Sequence, residues 1–130
     1  MRGVIQGKSV VVVNDSLARG TTSSKIVRLL RDADTCEVHM RIASPLVVGS
    51  CLYGVDTPSE GEGELISNRM NLEGVCWEIG SDSLAFLSLG KLHGVYGAEA
   101  GDYCDACFSR KYPVLPTLPP EPVGKLEERR

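Results

Sequence analysis

The sequence predicts an α/β domain, a parallel sheet with flanking helices. Three observations carry this. Val10–Val13 is a short, wholly β-branched run ending in Asn14-Asp15, the pattern of a strand covered on both faces of a parallel sheet. A helix-period segment opens just after it, behind Gly20-Thr21-Thr22. Strand-like and helix-like segments then alternate further along the chain.

The elements follow in order. Ile26, Val27, Leu29 and Leu30 recur at helical spacing, with Lys25, Arg28 and Arg31 on the other faces, so an amphipathic helix is expected from about Thr22 to Asp32. Behind it, Asp34 stands where a left-handed residue would end the helix, a conformation glycine adopts more comfortably. Glu37–Ile42 alternates polar and apolar residues, stops at Ser44-Pro45 and reads as a second strand. Residues 45–63 are rich in Gly, Ser and Pro and read as an irregular excursion. A short helix is expected around Glu64 to Arg69, weakened at its start by Gly61 and Gly63. Leu72, Val75, Cys76 and Ile79 mark another helix, capped by Asn71 and ended by Gly80. Ser83–Ser88 reads as a third strand, Leu89–Tyr96 as a short helix or turn, and Gly97–Asp102 as a loop leading to the Cys104-x-x-Cys107 turn. Residues 1–113 form the expected domain. Residues 114–130, with four more prolines and the charged end Lys125–Arg130, have no apolar face to bury and read as a disordered Pro-rich tail.

Composition bounds the function. At 130 residues and 42% hydrophobic content, the chain can form one small domain with a modest core. A net charge of -3, from 14 basic and 17 acidic residues, gives no reason to expect a nucleic-acid surface. No segment approaches the ~20 apolar residues of a membrane helix, and Gln6, Gly7 and Lys8 interrupt any signal-peptide core. A cytoplasmic location is expected. Five cysteines, an odd count without a secretion signal, argue against a disulfide framework and for metal or core roles.

The chemistry concentrates behind the first strand, at the strand end where open α/β sheets bind ligands. Gly20 lets the backbone approach an anion, and Thr21, Thr22 and Ser23 offer hydroxyls together with helix-start amides that favour negative charge. Taken alone, the Asn14-Asp15 pair reads first as a turn that caps the next helix. Cys104-x-x-Cys107 can present two thiolates to one metal centre, because two intervening residues let both sulfurs point the same way; thiolates suit zinc or iron-sulfur clusters.

Val10–Thr22 resembles the phosphoribosylpyrophosphate (PRPP) motif of type I phosphoribosyltransferases, and is most similar to that of the glutamine PRPP amidotransferase family. The family pattern has two aspartates where this chain has Asn14 and Asp15. Ile42-Ala43-Ser44-Pro45, Cys51-x-Tyr53-Gly54-x-Asp56, Glu64-Leu65-Ile66, Ile79-Gly80-x-Asp82-Ser83-Leu84-Ala85-x-Leu87-Ser88-Leu89 and Tyr103-Cys104-x-x-Cys107-Phe108-x-x-Lys111-Tyr112-Pro113 match the family in the same order. The resemblance covers residues 1–113 and implies a partial type I phosphoribosyltransferase fold.

The resemblance also implies an activity: ammonia taken from glutamine displaces pyrophosphate from C1 of PRPP, giving 5-phosphoribosylamine in the first step of purine synthesis. Asp15 would be the catalytic carboxylate. Asn14, Asp15, Ser16, Arg19, Gly20, Thr21 and Thr22 would hold the ribose and 5-phosphate. Asn14 and Asp15 would form a weak magnesium site, since an uncharged amide is a poor magnesium ligand. Cys51, Cys104 and Cys107 would be three of the four ligands of a 4Fe-4S cluster, the fourth lying before Met1. Family members are homo-oligomers that purine nucleotides inhibit. On this reading the chain is the carboxyl-terminal portion of the transferase domain and, without the glutaminase domain and the first half of the transferase domain, is expected to be inactive alone. Two other readings stay open: a non-catalytic phosphosugar or nucleotide-binding module derived from that enzyme, and a small metal-binding scaffold completed by a ligand from another chain.

The remaining chemistry-bearing residues read blandly. Cys76 lies on an apolar stripe and Cys36 at a helix-to-strand connection. His39 alternates with Val38, Met40 and Ile42 and faces away from them; it and His93 read as structural. Trp77 reads as partial packing.

Overall fold

The computed structural model describes residues 2–55, 57 and 65–115. A short helix, α1 (Arg2–Ile5), which the sequence does not signal, precedes β1 (Ser9–Asn14). Then come α2 (Thr21–Arg31), β2 (Glu37–Ile42), α3 (Ile66–Arg69), α4 (Leu72–Ile79), β3 (Ser83–Phe86), α5 (Leu89–Tyr96), a 3-10 helix over Gly97–Asp102 and α6 (Ala106–Ser109). The strands form one parallel sheet in the order β1-β2-β3, with Val12 opposite Met40 and Met40 opposite Leu84. This is the α/β class that the sequence predicts.

The alternation of β2 decides which face is core. Val38 and Met40 are fully buried and Ile42 nearly so, and they join Leu84 of β3, Val27 of α2 and Val75 and Ile79 of α4 in one cluster. Burying a side chain such as Met40 contributes about 1.5–3 kcal/mol. The opposite face carries Glu37, His39, Arg41, Ser83 and Ala85, beside Val11 and Val13 of β1, which are 61% and 71% exposed. β1 is therefore not covered on both faces, as its unbroken valine run implies. Among the described residues it is an edge strand with one covered face, and β-branching suits an exposed strand surface as well as a buried one.

The helix ends follow local chemistry. The Asn71 side chain accepts the Gly74 N–H at 2.9 Å, and Gly80 ends α4 in the left-handed region at φ 76°. Behind α2, Asp34 does adopt the left-handed conformation, at φ 62°, and its carbonyl receives the Gly7 N–H at 2.8 Å. Two apolar assignments fail. Leu29 is 69% exposed, and Trp77 is 83% exposed and not even partly packed. Trp77 lies two residues from both Val75 and Ile79, hence about 200° around the helix from each. Cys76 packs against the core and donates its thiol to the Ser81 carbonyl at 3.2 Å.

Residues 45–55 run irregularly, as expected, but are firmly stitched to the end of the described chain. The Cys107 carbonyl accepts the N–H groups of Val48 and Gly49, Arg110 donates twice to the Val48 carbonyl, and the Tyr112 hydroxyl reaches the Ser50 carbonyl at 2.7 Å. The Tyr53 hydroxyl bonds the Val114 carbonyl at 2.6 Å. These contacts reach Val114, the first residue of the expected tail. The rest of the expected tail, residues 116–130, lies outside the described residues, as do Asp56, Gly61, Gly63 and Glu64. Among the described residues no helix is long and apolar enough to cross a membrane.

Candidate functional site

Residues 14–23, from the end of β1 to the first turn of α2, line a single open cup of about 330 Å³. It holds every residue of the sequence-derived loop site: Asn14, Asp15, Ser16, Arg19, Gly20, Thr21 and Thr22. Leu17 turns the other way and is 2% exposed, anchoring the loop in the core. The Asn14 amide nitrogen donates to the Ser16 carbonyl at 3.1 Å, and the exposed Asp15 carboxylate accepts the Ser16 N–H at 2.7 Å.

The floor of the cup is a helix start. Gly20 caps α2 at φ 85°, without a side-chain cap, and no acidic residue stands in the first turn. The first intrahelical bond runs from the Ser24 N–H to the Gly20 carbonyl at 2.9 Å, so the amides of Thr21, Thr22 and Ser23 have no carbonyl of the helix itself to bond. Those amides and the helix dipole favour an anion, and no carboxylate of the first turn competes for the place. Chemically, the cup offers N–H and hydroxyl donors on one side and one carboxylate, Asp15, on the other.

The cysteines form a second locality. Cys51 is half-buried and its sulfur accepts the Tyr53 N–H at 3.4 Å, Cys107 is half-buried in α6, and Cys104 is exposed just before that helix. Burial pushes the Cys107 thiol up, and the nearby Cys51 and Cys104 add to the effect. The three thiols thus share one neighbourhood. Among the described residues no three ligating side chains converge closely enough to hold a metal. Asp105, inside the C-x-x-C turn, accepts the Ser109 hydroxyl and pairs with His93 Nε2 at 2.8 Å; these bonds hold its carboxyl below the ordinary range.

Sequence reasoning assigned no role to a polar network on the open sheet face. His39 bridges Ser83 at 2.8 Å and Glu37 at 3.2 Å, and Arg41 donates to the Ser83 hydroxyl. The Ser9 hydroxyl and then His39 hold the Glu37 carboxyl below its usual range. His39 faces away from the core, as its alternation predicts. The partnership with Ser83 had no local signal, because it depends on the β2–β3 register.

No protein-family model matches the chain. It is similar to the chloroplastic amidophosphoribosyltransferase of Glycine max, 63% identical over 116 residues that are 89% of this chain and 20% of that protein. The amidophosphoribosyltransferase of Bacillus subtilis is 46% identical over 118 residues, 88% of this chain and 24% of that protein. The solved structure of glutamine PRPP amidotransferase from B. subtilis, complexed with ADP and GMP, superposes with a TM-score of 0.77 at 45% identity, over 87% of this chain and 25% of that one. The chain spans about a quarter or less of the length of these relatives. A parallel α/β layer of this kind is of the phosphoribosyltransferase type. By sequence and fold together, the chain belongs to the amidophosphoribosyltransferase family, as a segment of it.

Proposed function

We propose that this chain supplies the ribose-phosphate loop of an amidophosphoribosyltransferase, which makes 5-phosphoribosylamine from PRPP and glutamine-derived ammonia. The observation that carries the reading is the cup itself: a glycine-opened helix start facing the carboxylate at the end of β1. The 5-phosphate sits against the amides of Thr21, Thr22 and Ser23. Asp15 accepts hydrogen bonds from the ribose hydroxyls and balances the positive charge that grows on the ring as the C1–oxygen bond to pyrophosphate breaks. The ammonia nitrogen forms the new bond to C1 and loses a proton.

Magnesium, when bound, neutralises charge on the pyrophosphate; Asp15 is the protein's carboxylate for it, with Asn14 a weak second ligand. A 4Fe-4S cluster would be held in part by Cys51, Cys104 and Cys107, with a fourth ligand from outside this set, and would enter no step of the transfer. Purine nucleotides as inhibitors and a homo-oligomeric assembly belong to the same proposal; the B. subtilis relative is a complex with ADP and GMP. The plant relatives are named chloroplastic, so a plastid location competes with the cytoplasmic one read from the sequence. Fractionation of a tagged chain decides between them.

Titration calorimetry with ribose 5-phosphate tests the loop, and complementation of a purine auxotroph tests the activity. A second reading, a non-catalytic phosphosugar-binding module, is favoured by Asn14, which supplies no charge where the family pattern has an aspartate. Binding without complementation, even when the chain is joined to a relative's remaining segments, selects it.

A further inference from the structure

We infer that Ile66, at the start of α3, is a positioning residue that fixes the phosphate loop in its anion-receiving shape. The inference rests on the proposed ribose-phosphate role of that loop. Ile66 touches the loop twice. Its backbone N–H donates to the Ala18 carbonyl at 2.9 Å. Its side chain lies so close over Gly20 that a methyl group built on that glycine would stand 2.6 Å from Ile66 Cδ1, with Ile79 Cγ2 3.7 Å away.

The two contacts bracket Arg19, so Ile66 holds the backbone on both sides of it. The peptides from Ala18 to Gly20 lead directly into the helix-start amides of Thr21, Thr22 and Ser23 that receive the anion. Gly20 at φ 85° is the one residue of the loop with the freedom to rotate its peptides at little energetic penalty. Burial between Ile66 and Ile79 removes that freedom. Ile66 is itself packed in the core: it is 1% exposed within the core cluster, and the next residue, Ser67, donates its hydroxyl to the Val47 carbonyl at 2.7 Å. The loop is thus held by a residue more than forty positions away in sequence, which does not line the cup.

The test measures ribose 5-phosphate affinity by calorimetry, and amide hydrogen exchange over residues 18–23, on the full 130-residue chain. Ile66→Ala should weaken binding about tenfold or more and speed exchange in the loop, because small misplacements of binding groups are heavily penalised. Ile66→Leu, which restores reach over Gly20, should recover affinity to within about threefold on the same ground. Val75→Ala, an equally buried change in the same core whose side chain supplies none of the three atoms nearest a methyl group built on Gly20, should leave affinity within about twofold. Equal losses in Ile66→Ala and Val75→Ala, or unchanged affinity and exchange in Ile66→Ala, overturn the inference. If Ile66→Ala does not unfold cooperatively, the cycle of Gly20→Ala with Ile66→Val decides: a double variant that binds more tightly than Gly20→Ala supports the contact, and additive losses overturn it. Failure of the unsubstituted chain to bind ribose 5-phosphate overturns the functional reading and the inference together. Normal binding with an unaffected Ile66→Ala removes the inference alone.

Discussion

The amide nitrogen of Asn14 donates to the carbonyl of Ser16 across 3.1 Å and so closes the turn that carries Asp15. An ionised aspartate at this position cannot donate, and it would set a carboxylate against that carbonyl. Asn14→Asp therefore gives up one exposed hydrogen bond, worth about 1 kcal/mol. It gains a charged partner for ribose hydroxyls or magnesium, a type of bond worth about 1.5–3 kcal/mol. The second effect is larger. We expect a slightly lower melting temperature together with PRPP binding about tenfold tighter in the presence of magnesium, since ~1.4 kcal/mol is a factor of ten. Scanning fluorimetry and titration with and without magnesium check both. Unchanged affinity would leave Asn14 a turn residue only.

Asp82 ties the sheet to α2. Its Oδ2 accepts the Val38 N–H at 2.6 Å and pairs with Arg31 at 2.5 Å. The Val38 bond first, and Arg31 after it, hold the carboxyl below its ordinary value. In the relevant range the native state binds fewer protons than the unfolded state, so stability rises with pH. The contribution is complete above the ordinary carboxylate range, about pH 4, and is lost as pH falls through the depressed native value. Urea midpoints should show Asp82→Asn less stable than the unsubstituted chain at pH 6, with the gap closing as pH drops below about 4. A gap independent of pH contradicts this.

Where the determinant was local, the sequence was readable. The Asn71 cap, the Gly80 stop, β2 from Glu37 to Ile42 and α5 from Leu89 to Tyr96 lie where expected, because caps and periodicity act within a few residues. The loop residues of the candidate site were legible for the same reason, being consecutive along the chain. The sequence could not say that β1 is an edge strand, because four valines look alike on a covered and an open face. Ile66 was visible only as a match to a family pattern. Its contact with Gly20 depends on how α3 docks, a tertiary fact without a local signature.

The thiol locality predicts its own metal chemistry. Since no three ligands converge among the described residues, and a cluster of this type takes four thiolates, anaerobic reconstitution with iron and sulfide should leave the isolated chain with far less than one cluster per molecule. Iron and acid-labile sulfide analysis checks this, with Cys51→Ala, Cys104→Ala and Cys107→Ala as controls that should not differ from the parent. A stoichiometric cluster lost on any of these substitutions would show that the thiols rearrange to capture it.

The open face of the sheet has a consequence for association. Val11 and Val13 project from an edge strand with most of their surface in water, and an exposed apolar stripe on an unpaired edge is a template for pairing with another chain. The isolated chain should therefore self-associate as its concentration rises. Val11→Thr combined with Val13→Thr keeps the β-branching that suits a strand while removing apolar surface. Covering a valine contributes about 1.5–3 kcal/mol when complete, so partial covering of two should still shift the association constant about tenfold or more. Leu29→Thr removes as exposed a side chain from α2, on the covered side of the sheet, and should leave association as it was. Sedimentation across a concentration series distinguishes the three chains. Equal association in all of them, or a larger effect from Leu29→Thr, would place the sticky surface somewhere other than the β1 edge.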